Sequence, residues 1–227
     1  MGIPVQFPKT SDENKPLAIY CATSNGGKLR EFQLAVEERN LGFPVKILPL
    51  PNLEQIPPPE ETGKTIEQNA IIKGEYYSAR APGPLIAEDS GLEVFALGGA
   101  PGVFSARFGG PEANDRTNNQ LLLDRLRGVE DRSARFVCVI TVAEKGEILR
   151  TVCGTVEGYI LKSPRGTSGF GYDPLFFYPP LDRSFGELSA ESKLQVSHRG
   201  RALRDLMTLF SDNHWVFRFR DSDCGRP

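Results

Sequence analysis

Histidine is almost missing from this chain. His198 and His214 are its two examples, so no histidine-rich metal centre can be assembled from it. The four cysteines, Cys21, Cys138, Cys153 and Cys224, have no C-x-x-C spacing, which argues against a zinc site and a disulfide framework and makes thiols the expected state. Neither a G-x-S-x-G elbow nor a G-x-x-x-x-G-K-[ST] loop occurs, which removes a Ser-His-Asp hydrolase and a P-loop. Nowhere do about eighteen apolar residues follow one another, and the polar, proline-containing start carries no apolar signal core. The expectation is a cytoplasmic protein with no membrane segment, residues 1–16 forming a disordered leader and 17–227 a single domain. An excess of either charge is also lacking. The 27 basic and 29 acidic side chains leave a net charge of −2, so no global field recruits nucleic acid. With 39% hydrophobic residues in 227, the chain has enough apolar surface for a sizeable core.

What is present reads as alternating strands and helices. Leu17-Ala18-Ile19-Tyr20-Cys21-Ala22 is an apolar strand, and Thr23-Ser24-Asn25-Gly26-Gly27-Lys28 turns it into an amphipathic helix over 25–39. Val45 to Leu48 reads as a second strand. Pro49, Pro51, Pro57, Pro58 and Pro59 then exclude both helix and central strand, so a long loop crosses the surface to Gly63. Thr65-Ile66-Glu67-Gln68 has capping-box spacing and opens a helix through Asn69, Ile72 and Lys73. Leu85-Ile86-Ala87 reads as a short strand delivering Glu88 and Asp89 at its carboxyl end, and a helix follows Asn114. Residues 135–143 and 147–160 form a long antiparallel hairpin about Lys145-Gly146, and a two-residue turn there places Cys138 directly opposite Cys153. Ser189 caps a short helix containing Lys193, and a final helix carries Ala202, Leu203, Leu206 and Met207.

Four runs carry chemistry. Thr23, Ser24, Asn25, Gly26, Gly27 and Lys28 combine a small-residue turn, a helix N-terminus and one ammonium, which suits a phosphate, although Ser/Asn/Gly before a helix is also an ordinary cap. Asp89, followed by Ser90 and Gly91, is a carboxylate placed to hold Mg²⁺ or take a proton from water, and Glu60 or Glu61 in the proline-rich loop can supply a second oxygen ligand, although both also suit a solvated acidic loop. Gly169-Phe170-Gly171-Tyr172-Asp173-Pro174 offers a stacking face between glycines that let a flat ligand come close. Ser197-His198-Arg199-Gly200-Arg201 puts donors at the start of the last helix, suited to oxyanions or to a keto oxygen.

Taken in order, these runs resemble the noncanonical purine nucleoside triphosphate pyrophosphatases, also called inosine triphosphate pyrophosphatases. The resemblance spans about residues 17–210 and includes Glu61-Thr62-Gly63, Asn69-Ala70-Ile71-Ile72-Lys73, Glu88-Asp89-Ser90-Gly91-Leu92 and the run from Leu97 to Phe108. It implies an α/β fold with an elongated mixed β-sheet flanked by helices in two lobes, the nucleotide in the cleft between them, and a homodimer. The implied reaction is Mg²⁺-dependent hydrolysis of ITP, dITP and XTP to nucleoside monophosphate and pyrophosphate. Asp89 would be general base and metal ligand with Glu61. The six residues from Thr23 to Lys28 would cradle the triphosphate, and Lys73 would face the phosphates. Ser90, Phe170, Gly171, Tyr172, Asp173, Lys193, His198 and Arg199 would line the nucleotide. The family often has two aspartates where this chain has Glu88-Asp89, which leaves the part played by Glu88 open. Two rivals stand beside this reading: a septum-formation-inhibitor-like pyrophosphatase, which would not explain the Ser197-His198-Arg199-Gly200 and Gly169-to-Asp173 runs, and a nucleotide-binding regulator without catalysis.

Overall fold

The computed structural model describes residues 16–37 and 44–211. The leader up to residue 15, His214, the apolar positions Trp215, Val216, Phe217 and Phe219, and Cys224 lie outside the described residues. In chain order the elements are β1 (Leu17–Cys21), α1 (Gly26–Glu37), β2 (Val45–Pro49), α2 (Ile66–Ser78), β3 (Leu85–Val94), α3 (Asp115–Arg125), β4 (Ser133–Glu144), β5 (Glu147–Ile160), β6 (Phe176–Tyr178), β7 (Arg183–Ser184), α4 (Ala190–Val196) and α5 (His198–Ser211). The strands form one mixed sheet in the order β2-β1-β3-β4-β5-β6-β7. Its β2-β1-β3 part is parallel and the remainder antiparallel.

Local chemistry accounts for most boundaries. Asn25 Oδ1 accepts from the Lys28 amide at 3.1 Å and so caps α1. Thr65 caps α2 by accepting from the Gln68 amide. The Gln68 side chain, however, accepts from the Lys64 amide at 2.7 Å, one residue before its expected capping-box partner. Lys145 and Gly146 have φ of 53° and 87°, the two left-handed residues that a tight hairpin turn requires. The expected register fails one turn further in. A bulge between Val142 and Ala143 shifts the pairing, so Cys138 faces Gly154 and Cys153 faces Val139. Cys21 and Cys138 are buried free thiols, and burial pushes the Cys21 thiol up to about 12. Cys153, by contrast, is disulfide-bonded rather than a thiol.

The second departure concerns β3. Instead of ending at Ala87, it runs through Glu88 and Asp89 to Val94, because β4 pairs with all of it from Leu85 to Val94. What ends is its other neighbour: β1 pairs with β3 only at Tyr20↔Leu85 and Cys21↔Ile86. Further along, that edge is covered by the 100–105 segment, the Leu92 amide donating to Ser105 Oγ and the Val94 amide to the Ala100 carbonyl, which leaves the stretch around Glu88 and Asp89 at the point where the sheet changes from parallel to antiparallel. Open α/β sheets take ligands in such places. Successive side chains of a strand point to opposite faces, and the core divides accordingly. Ile86, Cys138 and Ile140 pack with Phe32, Ala35, Leu203 and Leu206 on the α1 and α5 side. Val137 and Val139 pack with Ile66 and Ala70 on the α2 side. A third cluster, centred on Phe136, Phe176 and Phe185, fills the β5–β7 end.

Helix α5 can lie on β5 because residue 154 has no side chain. A Cβ there would run into the His198 carbonyl and the Ala202 amide. Gly154→Ala is therefore expected to lower stability by about 1–3 kcal/mol through overpacking, read as a lower urea midpoint at unchanged slope. A variant as stable as the parent would contradict this close approach.

Candidate active site

Glu88 and Asp89 are neighbours on β3 and take part in two different charge clusters, one on each face of the sheet. On the α1 and α5 side, Arg199 at the start of α5 is 1% exposed. Its Nε donates to Glu88 at 2.7 Å, and its Nη2 donates to Glu88 at 2.8 Å and to Ser90 Oγ at 3.2 Å. Its Nη1 donates to Glu31 of α1, which leaves one Nη1 hydrogen without a partner among the described residues. Lys193 of α4, also buried, pairs with Glu31 at 3.1 Å and with Asp173 at 2.7 Å. Lys28 reaches Glu88 and Ser90, each at 3.2 Å. Three cations thus face three carboxylates. Burial alone would raise the Glu88 carboxyl, but Arg199 and Lys28 outweigh it and hold it well below the usual carboxylate range. Asp173 goes the other way. Burial raises it, and Lys193 and the Phe170 amide offset that only in part.

A cavity opens onto this cluster, lined among others by Asn25, Lys28, Ser90, Phe170, Lys193 and Arg199. Phe170 lies over the cations, with Lys193 Nζ 4.3 Å and Arg199 Cζ 5.4 Å from its ring centre. A Cβ on Gly27 would come within 3.0 Å of the same ring, so the glycine in the first turn of α1 lets the 169–174 loop close against it. Helix α3 fastens the other side of that loop, with the Gly171 amide donating to Asp115 at 2.6 Å and its carbonyl accepting from Asn119 at 2.9 Å. His198 is stacked on Phe136, ring centres 4.6 Å apart and planes at 12°. Burial, then the charges of Arg199 and Lys193, press its pKa well below the usual histidine value. It is a neutral imidazole, and its buried Nδ1 has no hydrogen-bond partner.

On the α2 side, Lys73 Nζ lies 2.7 Å from Asp89 and 2.9 Å from Glu61, and Arg107 reaches Glu61 at 3.4 Å. The two carboxyls are pushed apart. Burial raises Asp89 above the usual aspartate value even against Lys73. At Glu61 burial is outweighed by Lys73 and Arg107, so its carboxyl is lowered.

The ten residues Asn25, Lys28, Ser90, Phe170, Gly171, Tyr172, Asp173, Lys193, His198 and Arg199, all expected from the sequence, line one cavity. Lys73, Asp89 and Glu61 form the second cluster instead. Thr23 accepts from the Asn25 amide at 3.1 Å, and Thr23, Ser24 and Gly26 belong to neither cluster. Glu31, Arg107, Asp115 and Asn119 are not singled out by the sequence reading. Glu31 had a signal, for it lies in the i, i+3, i+4 stripe from Lys28 that also buries Phe32 and Ala35. Arg107 lies in the Leu97-to-Phe108 run that carries the resemblance but was given no role there, and Asp115 and Asn119, common residue types at a helix start, carried no signal.

No group of three or more His, Cys, Asp or Glu side chains placed to hold a metal occurs among the described residues. Asp89 and Glu61, gathered on one ammonium, are nonetheless a donor set that suits magnesium. That ion is commonly held by one or two carboxylates, with waters and substrate phosphates completing its shell.

The Ham1 family model matches residues 19–209. A dITP/XTP pyrophosphatase of Acidobacterium capsulatum is 51% identical over 200 residues, covering 84% of this chain and 97% of that protein. The dITP/XTP pyrophosphatase of Bacillus subtilis is 44% identical over 191 residues, 83% of this chain and 94% of the relative. Among solved structures, a HAM1 protein from Coxiella burnetii superposes with a TM-score of 0.76 at 39% identity, covering 86% of this chain and 99% of its own. The Staphylococcus aureus Ham1 protein gives 0.75 at 38% identity with the same coverage. With the family pattern running through both charge clusters and the sheet that separates them, this chain belongs to the Ham1 family.

Proposed function

We propose that the chain hydrolyses 6-keto purine nucleoside triphosphates, dITP, ITP and XTP, to nucleoside monophosphate and pyrophosphate, clearing them from the nucleotide pool. The observation that carries the proposal is the pair of clusters on opposite faces of β3: a cavity with buried donors on one side and carboxylates on an ammonium on the other. The base would enter the cavity against Phe170. There the free Nη1 hydrogen of Arg199 and the unpartnered Nδ1 of His198, in the tautomer carrying its proton there, would donate to the purine O6. Adenine would set its amino group against those donors, at a cost of roughly 1–3 kcal/mol per lost pairing. Thr23, Ser24, Asn25, Gly26, Gly27 and Lys28, at the N-terminus of α1, would bind the phosphates as they leave the cavity.

Asp89, with its raised pKa, would accept the proton of the attacking water on a carboxylate oxygen while Lys73 balances the charge. Cleavage of the α,β-anhydride then releases pyrophosphate. Asp89 and Glu61 would hold Mg²⁺, which when bound supplies charge neutralisation on the phosphates. A homodimer is proposed as well. Phe95 and Phe104, 46% and 56% exposed, lie beside or within the glycine-rich 98–111 segment and make it a candidate contact.

Pyrophosphate release from ITP with Mg²⁺ tests the reading. Asp89→Asn keeps the shape of the side chain and loses the negative charge, so turnover is expected to fall by at least about 10²–10⁴-fold while the fold is retained. Retention of more than about a tenth of the parent rate at saturating Mg²⁺ would remove Asp89 from the mechanism. Light scattering is expected to give twice the 25.0 kDa chain mass, and a mass of one chain at micromolar concentration would reject the dimer.

A further inference from the structure

The cations of both clusters are already matched by carboxylates. Arg199, Lys193 and Lys28 face Glu31, Glu88 and Asp173, and Lys73 and Arg107 face Asp89 and Glu61. An incoming polyphosphate must therefore draw on a cation that its present partner holds loosely. The five differ widely in this respect. Arg199 and Lys193 are 1% and 3% exposed, and Lys73 and Lys28 are 18% and 22%. Arg107 is 42% exposed, and its ion pair with Glu61, at 3.4 Å, is the longest of the two clusters. An exposed pair of that kind is worth little and exchanges at small cost.

Its backbone, by contrast, is fixed. Arg107 ends the 3₁₀ segment Gly102–Arg107. Within that segment, Ser105 Oγ accepts from the Leu92 amide at 2.9 Å and donates to the Gly102 carbonyl at 2.6 Å. The Ser105 carbonyl accepts from Tyr172 at 2.8 Å, and the Ala106 carbonyl accepts from Asn118 at 3.0 Å. Ser105 and Ala106 line the nucleotide cavity, and the next side chain reaches Glu61. The Arg107 guanidinium thus sits where the cavity meets the Asp89 cluster, on a rigid base, its head held only by the long Glu61 pair and by the Phe104 ring 5.4 Å away.

We infer that Arg107 is a polyphosphate-binding residue. Glu61, as one of the carboxylates that would hold Mg²⁺, would then give up its loose pair with Arg107 and leave the guanidinium to oxygens of the polyphosphate and of the pyrophosphate product. This rests on the function proposed above. Lys73 keeps Asp89 as a partner in that exchange, whereas Arg107 has no second carboxylate among the described ion pairs.

The test is calorimetric binding of inorganic pyrophosphate and, separately, of IMP to the full chain and its Arg107→Gln and Arg107→Lys variants, with and without Mg²⁺. With Mg²⁺, Arg107→Gln is expected to weaken pyrophosphate binding about tenfold or more, the worth of a charge-assisted contact, and to leave IMP binding within about twofold. Arg107→Lys should recover part of the loss, since it keeps the charge without the fork. Omitting Mg²⁺ should shrink the difference, because Glu61 then keeps its hold on Arg107. Unchanged pyrophosphate binding, an equal loss for IMP, or an effect indifferent to Mg²⁺ would each overturn the inference. If the parent chain releases pyrophosphate from ITP and Arg107→Gln binds pyrophosphate normally, this inference alone fails. If the parent chain neither releases nor binds pyrophosphate, the proposed function fails and takes this inference with it.

Discussion

A guanidinium that is 1% exposed is costly to bury, and the architecture around Arg199 is organised to meet that cost. Removing one partner of a buried pair is worth about 3–5 kcal/mol of stability, because the other charge is left uncompensated. Glu31 from α1, Glu88 from β3 and Ser90 two residues further on must all be in place for Arg199 to be satisfied. Lys193 then ties Glu31 to Asp173 and so brings in α4 and the 169–174 loop. The same network fixes what the cavity offers a ligand. Nearly every donor of Arg199 is taken, and what remains, one Nη1 hydrogen beside a neutral His198, is a small donor set held in place by carboxylates that cannot themselves reach water. Preorganised donors of this kind need no rearrangement when an acceptor arrives.

The alternation of β3 performs the second division of labour. Because adjacent side chains leave a strand on opposite faces, Glu88 and Asp89 enter different environments although they are chemically alike. Glu88, between Arg199 and Lys28, is held ionised and braces Arg199 at the cavity. Asp89, buried with Lys73 as its cation, keeps a raised pKa suited to accepting a proton. A glutamate at 88 fits this arrangement, since its carboxylate spans Nε and Nη2 of Arg199 in a two-point contact.

Much of this was legible in the sequence. Caps at Asn25, Thr65, Asn114 and Ser189, the Lys145-Gly146 turn and the proline-rich crossing are decided by one or two residues each, so local chemistry suffices to read them. Nine of the ten cavity residues were readable because each belongs to a short run with a recognisable combination of functional groups; the tenth, Lys193, came from the family resemblance. What was not legible depends on partners distant in the chain. The continuation of β3 past Ala87 is caused by β4, about fifty residues later, and no local breaker announces that β1 stops first. The bulge that moves Cys138 away from Cys153 falls at Leu149 in β5, between the pairs Ala143↔Ile148 and Val142↔Arg150, where no glycine or proline marks it. That Glu88 pairs with a guanidinium depends on Arg199, 111 positions away.

In the function proposed, the buried donors held by this network sort purines at the 6-position. Calorimetric binding of ITP and of ATP, each with Mg²⁺, to the Asp89→Asn variant separates recognition from turnover and tests the claim directly. The account requires ITP to bind at least about tenfold more tightly than ATP, the minimum set by one buried donor left facing another donor. Equal affinity for the two nucleotides would contradict it.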